Sequence, residues 1–218
     1  TKYFFHSNGA RHGWLDTEVP TDEPPNKYTY DPDDPVLTLG GNHSGPPDHP
    51  DVIRVGAIDQ RPNWDREDVL VFETPALTTD LEVTGPVTVK LFAASSAPDT
   101  DFIARLIDVY PDGTAYNLTD GIIRARFRES IYEPPKLLEP GQTYEYTIDL
   151  QPTSNVFKKG HSICVHITSS GFPLWDRNPN TGHEQGMDAD VQVAYQTVLH
   201  DRTNPSYIIL PVIPNESK

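Results

Sequence analysis

Gly160-His161-Ser162-Ile163-Cys164 is the string nearest to a nucleophile motif in this sequence, with an imidazole, a hydroxyl and a thiol inside five residues. A catalytic serine on a hydrolase scaffold needs Gly-x-Ser-x-Gly on a strand-to-helix elbow, where the hydroxyl stands exposed beside oxyanion donors. Here the second glycine is missing and a strand pattern continues, so Ser162 is expected to have no elbow and no nucleophilic role. Cys164 shares a strand side with Ser162 and His166 and is expected to be inert packing. Asp99 and Asp101 could form a glycosidase pair, which needs one acid of raised pKa across a cleft. Two residues apart beside a turn, they are expected to accept main-chain bonds instead. Asp31, Asp33 and Asp34 could offer oxygens to calcium, but their spacing matches no EF-hand and Asp-Pro turns account for them. The eight histidines lack His-x-His or His-Glu-x-x-His spacing, and no glycine-rich phosphate loop occurs, so neither metal nor cofactor is expected.

Two further groups bear on binding. Arg124, Arg126 and Arg128 alternate with Ile123, Ala125 and Phe127, which predicts an arginine stripe on one strand face. Such a stripe is either paired locally with Asp and Glu or docked on a carboxylate surface of a partner. Trp14, Trp64 and Trp175 could stack sugar rings as a carbohydrate-binding module does, or anchor the loops they sit in.

The elements that must position these residues read as strands. Val87, Val89, Leu91 and Ala93 fall on one side of a period-2 repeat that follows a Thr84-Gly85-Pro86 turn. Phe102 to Tyr110 is a second strand, Pro111-Asp112-Gly113 a tight turn, and Ile122 to Arg128 a third strand of one antiparallel meander. Both faces of the second strand are apolar, with Phe102, Ala104 and Leu106 against Ile103, Ile107 and Val109. Something must therefore cover its outer side, either a loop of this chain or another domain. Tyr144, Tyr146, Ile148 and Leu150 alternate without a fault, Thr153 to His161 reads as a turn, and Ile163, Val165 and Ile167 mark another inward side. Residues 1–26 read as an arm and linker rather than a packed element, and residues 27–218 as one β domain. Two long loops stand out, Leu39 to about Arg66 and Ser169 to Gly182; long loops in compact domains are usually functional.

A chain of 218 residues can bury one sizeable core. Its 22 prolines, about twice ordinary usage, recur between the apolar runs and exclude long helices. The net charge of −15 argues against nucleic acid or an anionic membrane as partner, since both require basic patches. One cysteine forbids an intrachain disulfide, which fits the cytosol and is compatible with export. No apolar run approaches the ~20 residues of a membrane span. The first residue is Thr rather than Met, as in a processed or excised product. Many short strands, few helices and long loops describe an all-β chain, a jelly-roll β-sandwich.

Several strings carry a specific resemblance. Ser95-Ser96-Ala97-Pro98-Asp99-Thr100-Asp101-Phe102, Asp108-Val109-Tyr110-Pro111-Asp112-Gly113, Asn117-Leu118-Thr119-Asp120-Gly121-Ile122 and Arg124-Ala125-Arg126-Phe127-Arg128 resemble the carboxy-terminal domain of the cocaine-esterase and X-Pro dipeptidyl-peptidase family of serine hydrolases. Leu39-Gly40-Gly41, Asp59-Gln60-Arg61-Pro62, Thr153-Ser154-Asn155-Val156-Phe157 and Asp176-Arg177-Asn178-Pro179-Asn180-Thr181-Gly182 extend the likeness over nearly the whole chain. The resemblance implies a galactose-binding-domain-like jelly roll that follows an α/β-hydrolase domain, packs on it and helps to wall its active site. It places the catalytic triad in that other domain, so no catalytic residue is expected here. An extra His-Pro-Asp segment between Asn42 and Ile58 departs from the family pattern. The candidate interface or active-site-rim residues are thus Asn42, His43 and Trp64 in the long loop, Ile103 and Ile107 on the two-faced strand, and Arg124, Arg126 and Arg128. The α/β-hydrolase domain is the expected partner, and a homodimer is the other association left open.

Overall fold

The computed structural model describes residues 1–42, 55–187 and 189–214. Twelve strands form one continuously hydrogen-bonded sheet: β1 (Lys2–His6), β2 (His12–Asp16), β3 (Glu23–Tyr30), β4 (Leu70–Glu73), β5 (Leu81–Ser95), β6 (Asp101–Val109), β7 (Ala115–Arg124), β8 (Thr143–Phe157), β9 (Ser162–Thr168), β10 (Ala194–His200), β11 (Tyr207–Ile209) and β12 (Val212–Ile213). Their order is β3-β10-β5-β11-β1-β2-β4-β9-β6-β7, with β8 and β12 also paired to β5. The sheet folds over on itself. Inward residues of β5 and β8 (Val87, Val89, Leu91, Tyr146, Ile148, Leu150) share one core with Phe72 of β4, Phe102 and Leu106 of β6, and Val165 of β9. The chain is all-β, a β-sandwich domain.

β5 is the spine. Along one edge it pairs with β8 from Leu81↔Phe157 to Ala94↔Thr143, and along the other with the short β12, β11 and β10 in turn. Two expected turns inside this ladder are absent. Gly85-Pro86 does not end a strand; Pro86 faces Pro152, and the register slips between Pro86 and Thr88. Gln151 takes a positive φ of 65° there. Neither proline has an N–H to give the ladder, and a bulge absorbs the lost bonds where a turn would have split the strand. Likewise Thr153 to Phe157 continues β8 rather than turning.

Two further corrections concern the framework of the site. Residues 1–26 are not a loose arm: β1 joins β11 to β2, β2 runs parallel to β4, and Phe5 and Leu15 are fully buried core residues. Five-residue strands carry little periodic signal, and the partner of β1 lies some two hundred positions away. The third meander strand ends at Arg124, where Ala125–Phe127 forms a turn of 3-10 helix. The Ala125 amide leaves the ladder to donate to Thr100 O at 2.9 Å. Finally, all nine residues of β6 are buried.

Candidate functional site

The outer face of β6 is covered by this chain itself. Ile107 and Val109 pack with Val36, Val69, Val71, Ala115 and Cys164, and with Trp64 from the short helix α1 (Arg61–Trp64). Segments 31–42 and 55–69 lie over that face, tied down by the bridges Leu37↔Phe172 and Asp59↔Tyr116. Gln60 is fully buried beneath them; its amide donates to Leu39 O at 2.7 Å and Ile58 O at 2.9 Å, while its carbonyl accepts from Arg105 Nη1 at 3.1 Å. Ile103 and Ile107, expected at an interface, are 1% and 0% exposed and cannot meet another domain without local unfolding. A two-faced apolar strand shows that something covers it, and the long loop is what does. Asn42 is exposed and donates to Gln151 Oε1 at 3.2 Å, whereas His43 lies outside the described residues.

The arginines do not form a stripe. Arg124 donates to both carboxylate oxygens of Asp101 at 2.9 Å and to Asp176 Oδ1 at 3.1 Å. Arg126 is buried and turns to Asp99, Nε to Oδ2 at 2.8 Å, with both Nη atoms on His183 O at 2.9 Å. Asn178 joins the two pairs by donating to Asp99 Oδ2 and Asp101 Oδ1. Burial pushes the Asp101 carboxyl up, and the Arg124 guanidinium and Asn178 pull it back; the paired 2.9 Å contacts mark an ion pair. Arg128 stacks its guanidinium 4.3 Å above the Tyr144 ring and donates to Ala125 O and Lys136 O. This network clamps residues 125–138 and 171–183 to the end of the sandwich. Asp99 and Asp101 are therefore buried ion-pair partners, not main-chain acceptors alone.

The nucleophile search ends similarly. Asp108 and His161 are paired at 2.8 Å, as acid and base of a triad would be. The next hydroxyl in the chain, Ser162, lies beside the Glu73 carboxyl instead. Burial raises the Cys164 thiol well above its ordinary value, so thiolate chemistry is suppressed. Asp31 caps its own turn, accepting from Asp33 N at 3.0 Å, and Arg66 holds Asp34. Among the described residues no group of three or more His, Cys, Asp or Glu could hold a metal ion.

The tryptophans are engaged separately. Trp14 is a strand residue stacked 5.2 Å from His6, and Trp175 lies against Gly171, where a Cβ would meet its ring at 2.9 Å. Trp64 packs edge-on to His166 at 5.6 Å and also lines an open groove of about 570 Å3. Tyr110, Glu73, Asp65, Ser162 and Arg61 share that lining. Desolvation raises the Glu73 carboxyl above the usual carboxylate range, and the Ser162 hydroxyl opposes it. Composition alone did not reveal this groove, because its walls come from four separate segments.

Comparison with known proteins places this architecture. Residues 11–209 match the family model of the X-Pro dipeptidyl-peptidase C-terminal non-catalytic domain. A cocaine esterase of Rhodococcus sp. is 44% identical over 226 residues, a match that takes in 98% of this chain and 37% of the esterase. Among solved structures, an aminopeptidase from a marine sediment thaumarchaeon superposes with a TM-score of 0.87 at 31% identity, over 98% of this chain and 36% of its own. An α-amino acid ester hydrolase gives 0.84 at 32% identity, over 97% and 36%. The chain thus spans little more than a third of the length of these relatives. With nearly its whole length matched by the family model and by these relatives, the chain belongs to the family of X-Pro dipeptidyl-peptidase C-terminal non-catalytic domains.

Proposed function

We propose that this domain is the accessory β-sandwich of a serine hydrolase that cleaves ester or amide acyl bonds. It packs on an α/β-hydrolase domain of the same polypeptide and contributes to the wall of its active site. The observation that carries this reading is the end-to-end match to just 37% of a cocaine esterase. The local pairing of Ser162, His161, Asp99 and Asp101 within the fold supports it. The face that fits docking lies where Leu37 and Phe172 are bridged, both more than a third exposed, and where Phe172 and Val191 line one groove. Large exposed apolar side chains gathered at one place mark an interaction surface.

The test compares the isolated chain with the longer polypeptide. p-Nitrophenyl butyrate should be hydrolysed by the longer protein and not by the chain alone. Amide hydrogens around Leu37 and Phe172 should exchange more slowly in the longer protein. Turnover by the isolated chain that disappears in Ser162→Ala would overturn the non-catalytic reading, and identical exchange in both proteins would overturn the docking face.

A further inference from the structure

The groove beside Trp64 has a lining of uncommon composition. Two aromatic rings, Trp64 and Tyr110, and two carboxyl groups, Asp65 and Glu73, share it with the Ser162 hydroxyl. Arg61 supplies the cation among the lining residues, and Asp59, outside the groove, already holds it, Nε to Oδ2 at 2.7 Å. Among the described lining residues no other cation faces Asp65 and Glu73, and the nearby Arg11, outside the lining, donates to the Trp64 and Val69 carbonyls. Glu73 is half-buried with a neutral hydroxyl as partner, and a carboxylate withdrawn from water gains from a nearby positive charge. The rings are fixed in advance. Tyr110 rests 4.2 Å from His161 and edge-on to Tyr116 at 5.3 Å, and Trp64 is braced by His166. Rings held by packing offer their π faces to a cation without a further ordering cost.

The geometry points to this groove as a binding site for a small organic cation, an alkylammonium ion. Its charged head meets Glu73 and Asp65, and its methyl or methylene groups lie against Trp64 and Tyr110. A neutral sugar would use the rings and leave both carboxylates uncompensated, and an inorganic cation would use the carboxylates and leave the rings idle. The site is a property of this domain and does not depend on the docking face proposed above.

Choline chloride is the probe, titrated into the chain at about pH 8, above the ordinary carboxylate range, with tryptophan fluorescence as readout. Sodium chloride at equal ionic strength and glucose serve as controls. The expected result is a saturable change with a dissociation constant of millimolar order. Glu73→Gln should weaken it about tenfold, and the exposed Asp65→Asn about threefold with an unchanged thermal midpoint. No saturable response to choline, an equal response to sodium chloride or glucose, or an Asp65→Asn protein that is folded and binds choline undiminished would each overturn the site.

Discussion

His200 is fully buried, its Nδ1 against Phe5 O at 3.1 Å and its ring 5.5 Å from Phe72. Burial pushes its pKa down to about 4, against the upward pull of Glu23. His166 is also pushed well below its ordinary value, by burial first and then by Arg105. Both favour the neutral imidazole in the fold. The unfolded chain takes up a proton near the ordinary histidine value, and the folded state refuses it. Stability is therefore intact above about pH 6.5 and declines as the pH falls toward about 4. For His200 alone the loss between about pH 7.5 and pH 5 should be about 2 kcal/mol, read from urea denaturation. His200→Gln should flatten that part of the slope and leave the part due to His166; an unaltered slope would refute the assignment. Asp99 and Asp101 alternate in phase with Arg124 and Arg126, and that matched spacing was the available signal for neighbouring, ion-paired segments. The alternation alone was legible as a strand face; the 3-10 turn that buries Arg126 was not, since it depends on the Thr100 carbonyl across the sheet.

Among the elements, β5 and β8 were legible over Val87–Ala93 and Tyr144–Leu150, because a strand with one buried face alternates visibly. Their continuation through Gly85-Pro86 and Pro152 was not, because proline and glycine signal a turn and a bulge alike. A tighter constraint operates where β7 crosses β8. A Cβ added at Gly121 would sit 1.9 Å from the Asp149 carbonyl oxygen, and Thr119 Oγ1 bonds the Leu150 carbonyl in the same crossing. Backbone cannot retreat there without parting the two strands. Gly121→Ala should cost about 3 kcal/mol or more, seen as a large drop in thermal midpoint. A midpoint equal to that of the natural chain would show that β7 and β8 can part there at little cost.

For the whole molecule, composition and the family-like strings were enough to specify an all-β domain, while the role of the opening residues stayed hidden. β1 and β2 link β11 to β4 and so connect the two halves of the sheet. Deleting residues 1–16 removes Phe5 and Leu15 from the core and exposes two strand edges at once. The shortened chain should lose its single sharp calorimetric transition; a sharp transition close to that of the intact chain would mean that the halves cohere without their link. The covering of β6 likewise depends on the path of the whole chain. Sequence alone showed that a cover was needed, and only the path of 31–42 and 55–69 across the fold identified it.

The pairing of Lys2 with Ile209 has a consequence for how the protein is made. Of the strands of this domain β1 leaves the ribosome first, and the edge that takes β11 stays vacant until nearly the last of them has emerged; the spine strand β5 waits in its turn for β10, β11 and β12. Contacts so distant along the chain close slowly. While this domain is being made, its sheet therefore has sticky edges open to its neighbours for most of that time.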